Sequence, residues 1–140
     1  MNTLSTFISA AALLAATLAP APAAEAPAAD KLLGAFLGHF GSGNIDAMVE
    51  AHAPDAIFAT PQGVLRGRDQ IRGMIKSVVA EFGKPGASFQ IIRQTADGPV
   101  ATLVWKGETA DNIYEIAAET YLFVDGKIAQ HTFAAKVSPK

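Results

Sequence analysis

The second half of the chain consists of four strand-like segments separated by short turns, and this arrangement limits the possible folds more than any other feature. The turn Asp125-Gly126 lies between two long apolar runs, which is a strong sequence signal for a β-hairpin. The four segments cover residues 88–95, 100–106, 114–124 and 128–137. Because strands joined by short turns pair antiparallel, these segments predict an antiparallel sheet.

Three helical patterns precede those strands. Apolar residues recur at spacings of three and four within 31–40, 45–52 and 68–82. Asn44 is a suitable N-cap for the second helix, Pro54 ends it, and a short strand is expected at 56–60. Helices followed by hairpins indicate an α+β domain in which three N-terminal helices pack on one face of a strongly curved antiparallel sheet. The inner face of such a cone is a natural pocket for a small molecule.

The N-terminal 24 residues carry no charged side chain, and Phe7 to Ala19 is an unbroken stretch of apolar and small residues. A Pro/Ala run with a small-x-small site follows, which is typical of a cleaved signal peptide. A retained membrane helix is the alternative, but a span needs about 20 apolar residues and this stretch is shorter. We therefore predict a signal peptide at 1–24 removed near Ala23/Ala24, a linker at 25–30, and one domain at 31–140 in a periplasmic or secreted protein.

The composition excludes several classes of function. The 140 residues suffice for one core, and the absence of cysteine excludes disulfides and thiol chemistry. A net charge of −2 argues against a nucleic-acid partner. His39, His52 and His131 lack the spacing of metal ligands, so no metal or other cofactor is predicted. The expected partner is a small molecule, with no membrane contact after cleavage.

Four motifs, taken in order, resemble the nuclear transport factor 2-like (SnoaL-like) superfamily. They are Gly43-Asn44-Ile45-Asp46, Ala53-Pro54-Asp55-Ala56, Gly67-Arg68-Asp69-Gln70-Ile71 and the hairpin Tyr121 to Ile128. Together they extend over nearly the whole mature chain. The resemblance implies a cone-shaped fold and a homodimer paired through the open face of the sheet. It does not imply an activity, because fold does not determine function.

The ketosteroid isomerases of this superfamily use an aspartate base and an oxyanion hole made of a tyrosine and a protonated aspartate. By the resemblance, the tyrosine falls on Phe36, which has no hydroxyl, and the base falls on Thr60, which cannot accept a proton near neutral pH. The protonated aspartate falls on Ile116, with Glu115 beside it as the alternative. Isomerase chemistry of that design is therefore not expected, and whether the protein is an enzyme stays open.

His131 and His52 are the candidate catalytic residues. Strand alternation places His131 on the same face as Phe133, and Ile128 and Gln130 on the opposite face. The resemblance places the face of His131 inside the cone. A neutral imidazole there is suited to act as a general base near pH 7. His52 ends the second helix, where it either supplies a second proton-transfer group or interacts as a cation with the helix C-terminus.

Glu115 and Glu119 lie four residues apart on a strand and therefore share one face of it. We interpret that face as outward, either solvated or in a dimer interface. An inward carboxylate would instead have a raised pKa and be a candidate acid or base.

The residues predicted to line the pocket are mostly apolar. They are Phe36, Phe58, Thr60, Leu103, Trp105, Ile116 and Phe133. The leading hypothesis is an exported protein that binds a small apolar or aromatic molecule, without established catalysis. The alternative is an isomerase, lyase or hydrolase acting on a polyketide-like or steroid-like substrate, with His131 as the base.

Overall fold

A computed structural model describes residues 28–140, so the predicted signal peptide lies outside the described residues. The helices are α1 (Ala29–Gly41), α2 (Ile45–Glu50) and α3 (Gly67–Phe82). The strands are β1 (His52–Thr60), β2 (Gly63–Arg66), β3 (Ser88–Asp97), β4 (Val100–Glu108), β5 (Asn112–Val124) and β6 (Lys127–Pro139). The α+β class and the order of helices before hairpins are confirmed. Helix α1 begins two residues before the expected start of the domain at residue 31, and its first residue, Ala29, is buried.

The six strands form one sheet in the order β2-β1-β6-β5-β4-β3. The expected antiparallel pairing joins β3 to β6 in sequence and β1 to β2, whereas β1 and β6 pair in parallel, so the sheet is mixed. A parallel pair needs a long connection, and the intervening helix and hairpins supply it. The same pairing explains why β1 begins at His52, which was expected to end α2. The Ile128 amide donates to the Ala51 carbonyl at 2.8 Å, so the sheet begins directly after the helix.

Irregularities in the strand pairing give the sheet its curvature. The register of β5 shifts by one residue against both of its neighbours, against β4 opposite Trp105 to Gly107 and against β6 between Tyr114 and Ile116. Such bulges bend a strand and increase its twist. A further bulge in β6 lies just after Ile128, which is therefore fully buried although strict alternation placed it on the outer face.

The helices cover the concave face of the sheet and close the core. Leu33 of α1 and Ile71 of α3 are fully buried there, as the helical spacing predicts. Asn44 caps α2 as expected, since its Oδ1 accepts from the Ala47 amide at 3.1 Å. Arg68 ties α3 to β1 by donating from Nε to the His52 carbonyl at 2.9 Å. None of the helices within 28–140 has the length and apolar character needed to cross a bilayer.

Candidate small-molecule site

A cavity of about 250 Å³ lies between the helices and the concave face of the sheet. Aromatic side chains form most of its wall: Phe36, Phe40, Phe58, Phe82, Phe89, Trp105, Tyr114, Tyr121 and Phe133. The rings also contact one another, for example Trp105 and Tyr114 with centroids 5.2 Å apart. A concave, largely apolar hollow with few polar groups is the usual form of a site for a small organic molecule.

Glu119 is the polar centre of the cavity. Its Oε2 accepts hydrogen bonds from His131 Nε2 at 2.7 Å and from the Tyr121 hydroxyl at 2.5 Å. Its Oε1 accepts from Trp105 Nε1 at 2.6 Å. Burial raises the pKa of Glu119, but the hydrogen bonds and the positive charge of protonated His131 outweigh burial and leave the pKa below its usual value. The carboxyl group is therefore ionised at neutral pH.

The inward position of Glu119 corrects the outward interpretation of the two glutamates. The bulge in β5 between Tyr114 and Ile116 breaks the alternation, so Glu115 and Glu119 point to opposite sides. Glu115 is exposed and pairs with Lys136 at 2.5 Å on the outer face.

His131 is held between two aromatic rings. The Phe58 ring stacks on it with centroids 3.9 Å apart, and the Tyr121 ring lies on the other side at 4.2 Å. Because a carboxylate can only accept a hydrogen bond, Nε2 of His131 is the donor to Glu119 and carries the proton. Nδ1 is buried without a hydrogen-bond partner and, in the neutral ring, carries the free lone pair.

His52 lies beside His131, with ring centroids 5.8 Å apart. Its Nδ1 donates to the Met48 carbonyl at 2.9 Å, and its Nε2 is buried without a partner. Burial lowers the pKa of His52 to about 4; the Met48 bond opposes this, and the charges of His131 and Arg68 add to it. His52 is therefore neutral at pH 7, so it contacts the end of α2 as a neutral donor rather than as a cation.

A second carboxylate, Glu81 of α3, lines the cavity away from the histidines. It accepts from Thr109 Oγ1 at 2.9 Å, from Asn112 Nδ2 at 2.7 Å and from the Tyr114 hydroxyl at 2.9 Å. Burial raises the pKa of Glu81, but these three donors lower it by more, so the net shift is downward. Burial and the Glu81 carboxylate raise the pKa of Tyr114 to about 12, so the hydroxyl stays protonated.

The chain matches the SnoaL-like domain family over residues 33–131. This protein belongs to the SnoaL-like family. Among curated proteins, none matches its sequence.

Solved structures agree with this SnoaL-like assignment at the level of the fold. A protein from Kribbella flavida DSM 17836 is 20% identical, with a TM-score of 0.68 over 78% of this chain and 87% of that one. SalBIII, an epoxide hydrolase/cyclase-like enzyme in pyran ring formation in the polyether salinomycin, is 16% identical, with a TM-score of 0.67 over 79% and 95%. An NTF-2 like protein of unknown function from Burkholderia xenovorans LB400 is 21% identical, with a TM-score of 0.63 over 76% and 81%. Identities this low establish the fold and not the activity.

The SnoaL-like cavity contains six of the residues predicted from the sequence: Phe36, His52, Phe58, Trp105, His131 and Phe133. Three others lie elsewhere. Thr60 donates to the Gly63 carbonyl at 3.1 Å in the turn between β1 and β2. Leu103 is fully buried in the core, and Ile116 is 49% exposed because it alternates along β5 with the buried Ala117.

The predicted lining of this SnoaL-like cavity lacked all of its carboxylates and hydroxyl groups, and also some of its apolar residues, such as Phe82 and Phe89. Glu81 follows Val78 by three residues and Met74 by seven, and this spacing puts it on the apolar face of α3. Glu119 shares strand parity with Ala117, Tyr121 and Phe123, and this was the available signal for an inward carboxylate. Within 28–140, no three His, Asp or Glu side chains are placed to hold a metal ion.

Proposed function

We propose that this SnoaL-like domain is exported and binds a small, predominantly apolar molecule in its aromatic cavity. The cavity carries the proposal. About 250 Å³ of space surrounded by aromatic rings is too large to be a packing defect in an ordinary core, where voids rarely exceed a water molecule. Filling it with an apolar ligand removes aromatic surface from water, which favours binding.

Trp105 provides a direct test of binding, because it is the only tryptophan of the chain and lines the cavity. We expect neutral aromatic molecules, from toluene to naphthalene, to change its fluorescence in a saturable way. Val78→Phe puts a ring into the cavity from α3 and should weaken binding about tenfold or more.

The matched control is Ala80→Phe, since Ala80 is exposed on the same helix and does not line the cavity. It should bind like the wild type. Absence of any saturable change across the panel, or equal effects of the two phenylalanine variants, would contradict binding in the cavity.

The pairing of Glu119 with His131 favours a second candidate function, proton transfer catalysed on the bound molecule. Glu119 fixes the orientation of the imidazole and stabilises the imidazolium that forms when His131 accepts a proton. Nδ1 of His131 is the nitrogen left to accept it. A base of this kind suits abstraction of a proton next to a carbonyl, a step shared by isomerases and lyases. SalBIII shows that an enzyme can use this fold, although it shares only 16% of residues with this chain.

Hydrogen–deuterium exchange next to the carbonyl of a small aromatic ketone, followed by NMR, tests this candidate. We expect enzyme-dependent exchange that His131→Gln abolishes and Glu119→Gln reduces by about 10²-fold or more. His39→Gln, in α1 and outside the cavity lining, should retain the full rate. Exchange that persists in His131→Gln would remove the assignment of the base.

The export part of the proposal rests on the charge-free N-terminal 24 residues. Intact mass and N-terminal sequencing of the protein recovered outside the cytoplasm should show a chain that begins near Glu25. A mature chain that still carries Met1 to Ala24 would contradict cleavage.

A further inference from the structure

The cavity carries more negative charge than a site for a neutral apolar ligand needs. Two carboxylates, Glu81 and Glu119, line it, and none of the described residues that line it is lysine or arginine. The hydrogen bonds that lower the pKa of each carboxyl keep both ionised at neutral pH. His52, with a pKa of about 4, adds no positive charge there.

The hydrogen-bond donors to these carboxylates do not cancel the charge. Glu81 receives its three bonds from the neutral side chains of Thr109, Asn112 and Tyr114. Lys84, just beyond α3, is paired with Asp111 at 2.6 Å. Protonated His131 balances at most one of the two carboxylates, so the cavity stays negative in either state of that histidine.

The aromatic wall between the carboxylates favours the same kind of ligand. Trp105 donates to Glu119 and Tyr114 donates to Glu81, and the two rings lie against each other with centroids 5.2 Å apart. Donation of a hydrogen bond to an anion makes the donor's ring richer in π electrons. A cation near the face of tryptophan or tyrosine is attracted to the ring quadrupole, and more strongly where water is excluded.

We propose that the cavity selects an organic cation, an amine or quaternary ammonium group attached to a small apolar body. The juxtaposition of two ionised carboxylates with an aromatic wall, in a cavity lined by neither lysine nor arginine, carries this inference. An anionic ligand is repelled by both carboxylates, and a neutral one offers no countercharge to either of them. The inference rests on the proposed binding function and narrows its ligand class.

Two ligands of the same shape, one cationic and one neutral, distinguish the effect of charge on affinity from the effect of size. Phenyltrimethylammonium and tert-butylbenzene differ by replacement of the cationic nitrogen with carbon. Titration followed by Trp105 fluorescence should show that the cation binds about tenfold more tightly or better. Equal or tighter binding of tert-butylbenzene overturns the cation inference and leaves cavity binding standing. If neither molecule binds, the proposed binding function fails, and the cation inference fails with it.

Variants that each remove one carboxylate test which residue causes the preference for the cation. Glu81→Gln should weaken phenyltrimethylammonium binding several-fold while leaving tert-butylbenzene binding unchanged, since only the cation senses the lost charge. Glu119→Gln should act in the same direction and provides a second variant should Glu81→Gln fold poorly. Glu115→Gln removes a carboxylate from the outer face of the same strand as Glu119 and should change neither affinity. If Glu115→Gln lost as much cation affinity as Glu81→Gln, the preference would come from the overall charge of the protein, and the proposal would be overturned.

Discussion

Of the two neighbouring histidines of the cavity, one contacts a carboxylate and the other does not. Glu119 accepts a hydrogen bond from His131, whereas His52 faces no carboxylate and contacts a backbone carbonyl. An imidazole that is buried without an anion resists protonation, which is why the pKa of His52 falls to about 4. This difference makes His52 an acid-sensitive point of the fold.

We expect the free energy of unfolding to fall as the pH drops from 6.5 to 4, with His52 contributing about 3 kcal/mol. The sign follows from proton uptake: in this window the unfolded chain binds a proton at His52 and the folded chain does not, so acid favours unfolding. Glu119 acts in the same direction, but only at lower pH. Its pKa is lower in the folded chain than the usual value of 4.5, so the stability that it contributes is lost as the pH falls below 4.5.

Urea denaturation of His52→Asn at several pH values from 7 to 4 checks this prediction. The asparagine amide can replace the donor to the Met48 carbonyl but cannot titrate, so the dependence on pH should flatten. His39→Asn, which removes a partly exposed histidine of α1, serves as the control and should retain the wild-type slope. An unchanged slope in His52→Asn would show that another group is responsible.

At the scale of single residues, the sequence predicted the apolar lining better than the polar one. Phe36, Phe58 and Phe133 were found because their positions follow helix and strand periodicity. The parity that Glu119 shares with Tyr121 groups these two side chains, but the face that they occupy relative to His131 depends on a bulge. A regular ladder extended from the Asp125–Gly126 turn would pair Tyr121 with Gln130, whereas the bulge in β6 pairs it with His131.

At the scale of elements, local signals decided what could be predicted. The Asp125–Gly126 turn has positive φ at both residues, 50° and 74°, which is the geometry that favours this dipeptide in hairpins. The parallel pairing of β1 with β6 joins segments distant in sequence, and no local pattern encodes it. The bulges likewise depend on which strands become neighbours, so periodicity within one strand does not reveal them.

Gly107 of β4 lies against the backbone of β3 and next to Phe82 of α3. A Cβ added there would overlap the Ser88 carbonyl oxygen and lie 3.5 Å from Cε1 of Phe82. We expect Gly107→Ala to destabilise the domain by about 1–3 kcal/mol, because the obstacle is backbone that cannot rotate away.

Gly34→Ala is the comparison for this variant in thermal denaturation. Gly34 lies in α1 with open space around its Cα, so alanine should raise stability by about 1 kcal/mol through helix propensity. A Gly107→Ala melting temperature at or above that of the wild type would contradict the close approach of the two strands.

At the scale of the whole molecule, the two faces of the sheet differ sharply. The concave face is covered by helices and the cavity, while the described part of the chain leaves the convex face uncovered. Across β4, β5 and β6 one row consists of Val104, Ala118 and Ala134 and the next of Thr102, Thr120 and Thr132, and the rows end on β3 at Arg93 and Thr95. Small side chains in rows form a flat surface on which a second sheet can pack closely.

The homodimer expected from the sequence stays a prediction, and this convex face is where we place it. Light scattering should give twice the mass of one mature chain for the wild type. Ala118→Arg puts a long cation into the centre of the flat surface, where burial against a second apolar face leaves it unpaired, so this variant should be monomeric. Ala80→Arg adds the same charge at an exposed position of α3 and should remain dimeric.

Because the cavity lies on the other side of the sheet, both variants should keep their ligand affinity. A monomeric wild type would exclude this interface, and a dimeric Ala118→Arg would move it to another surface.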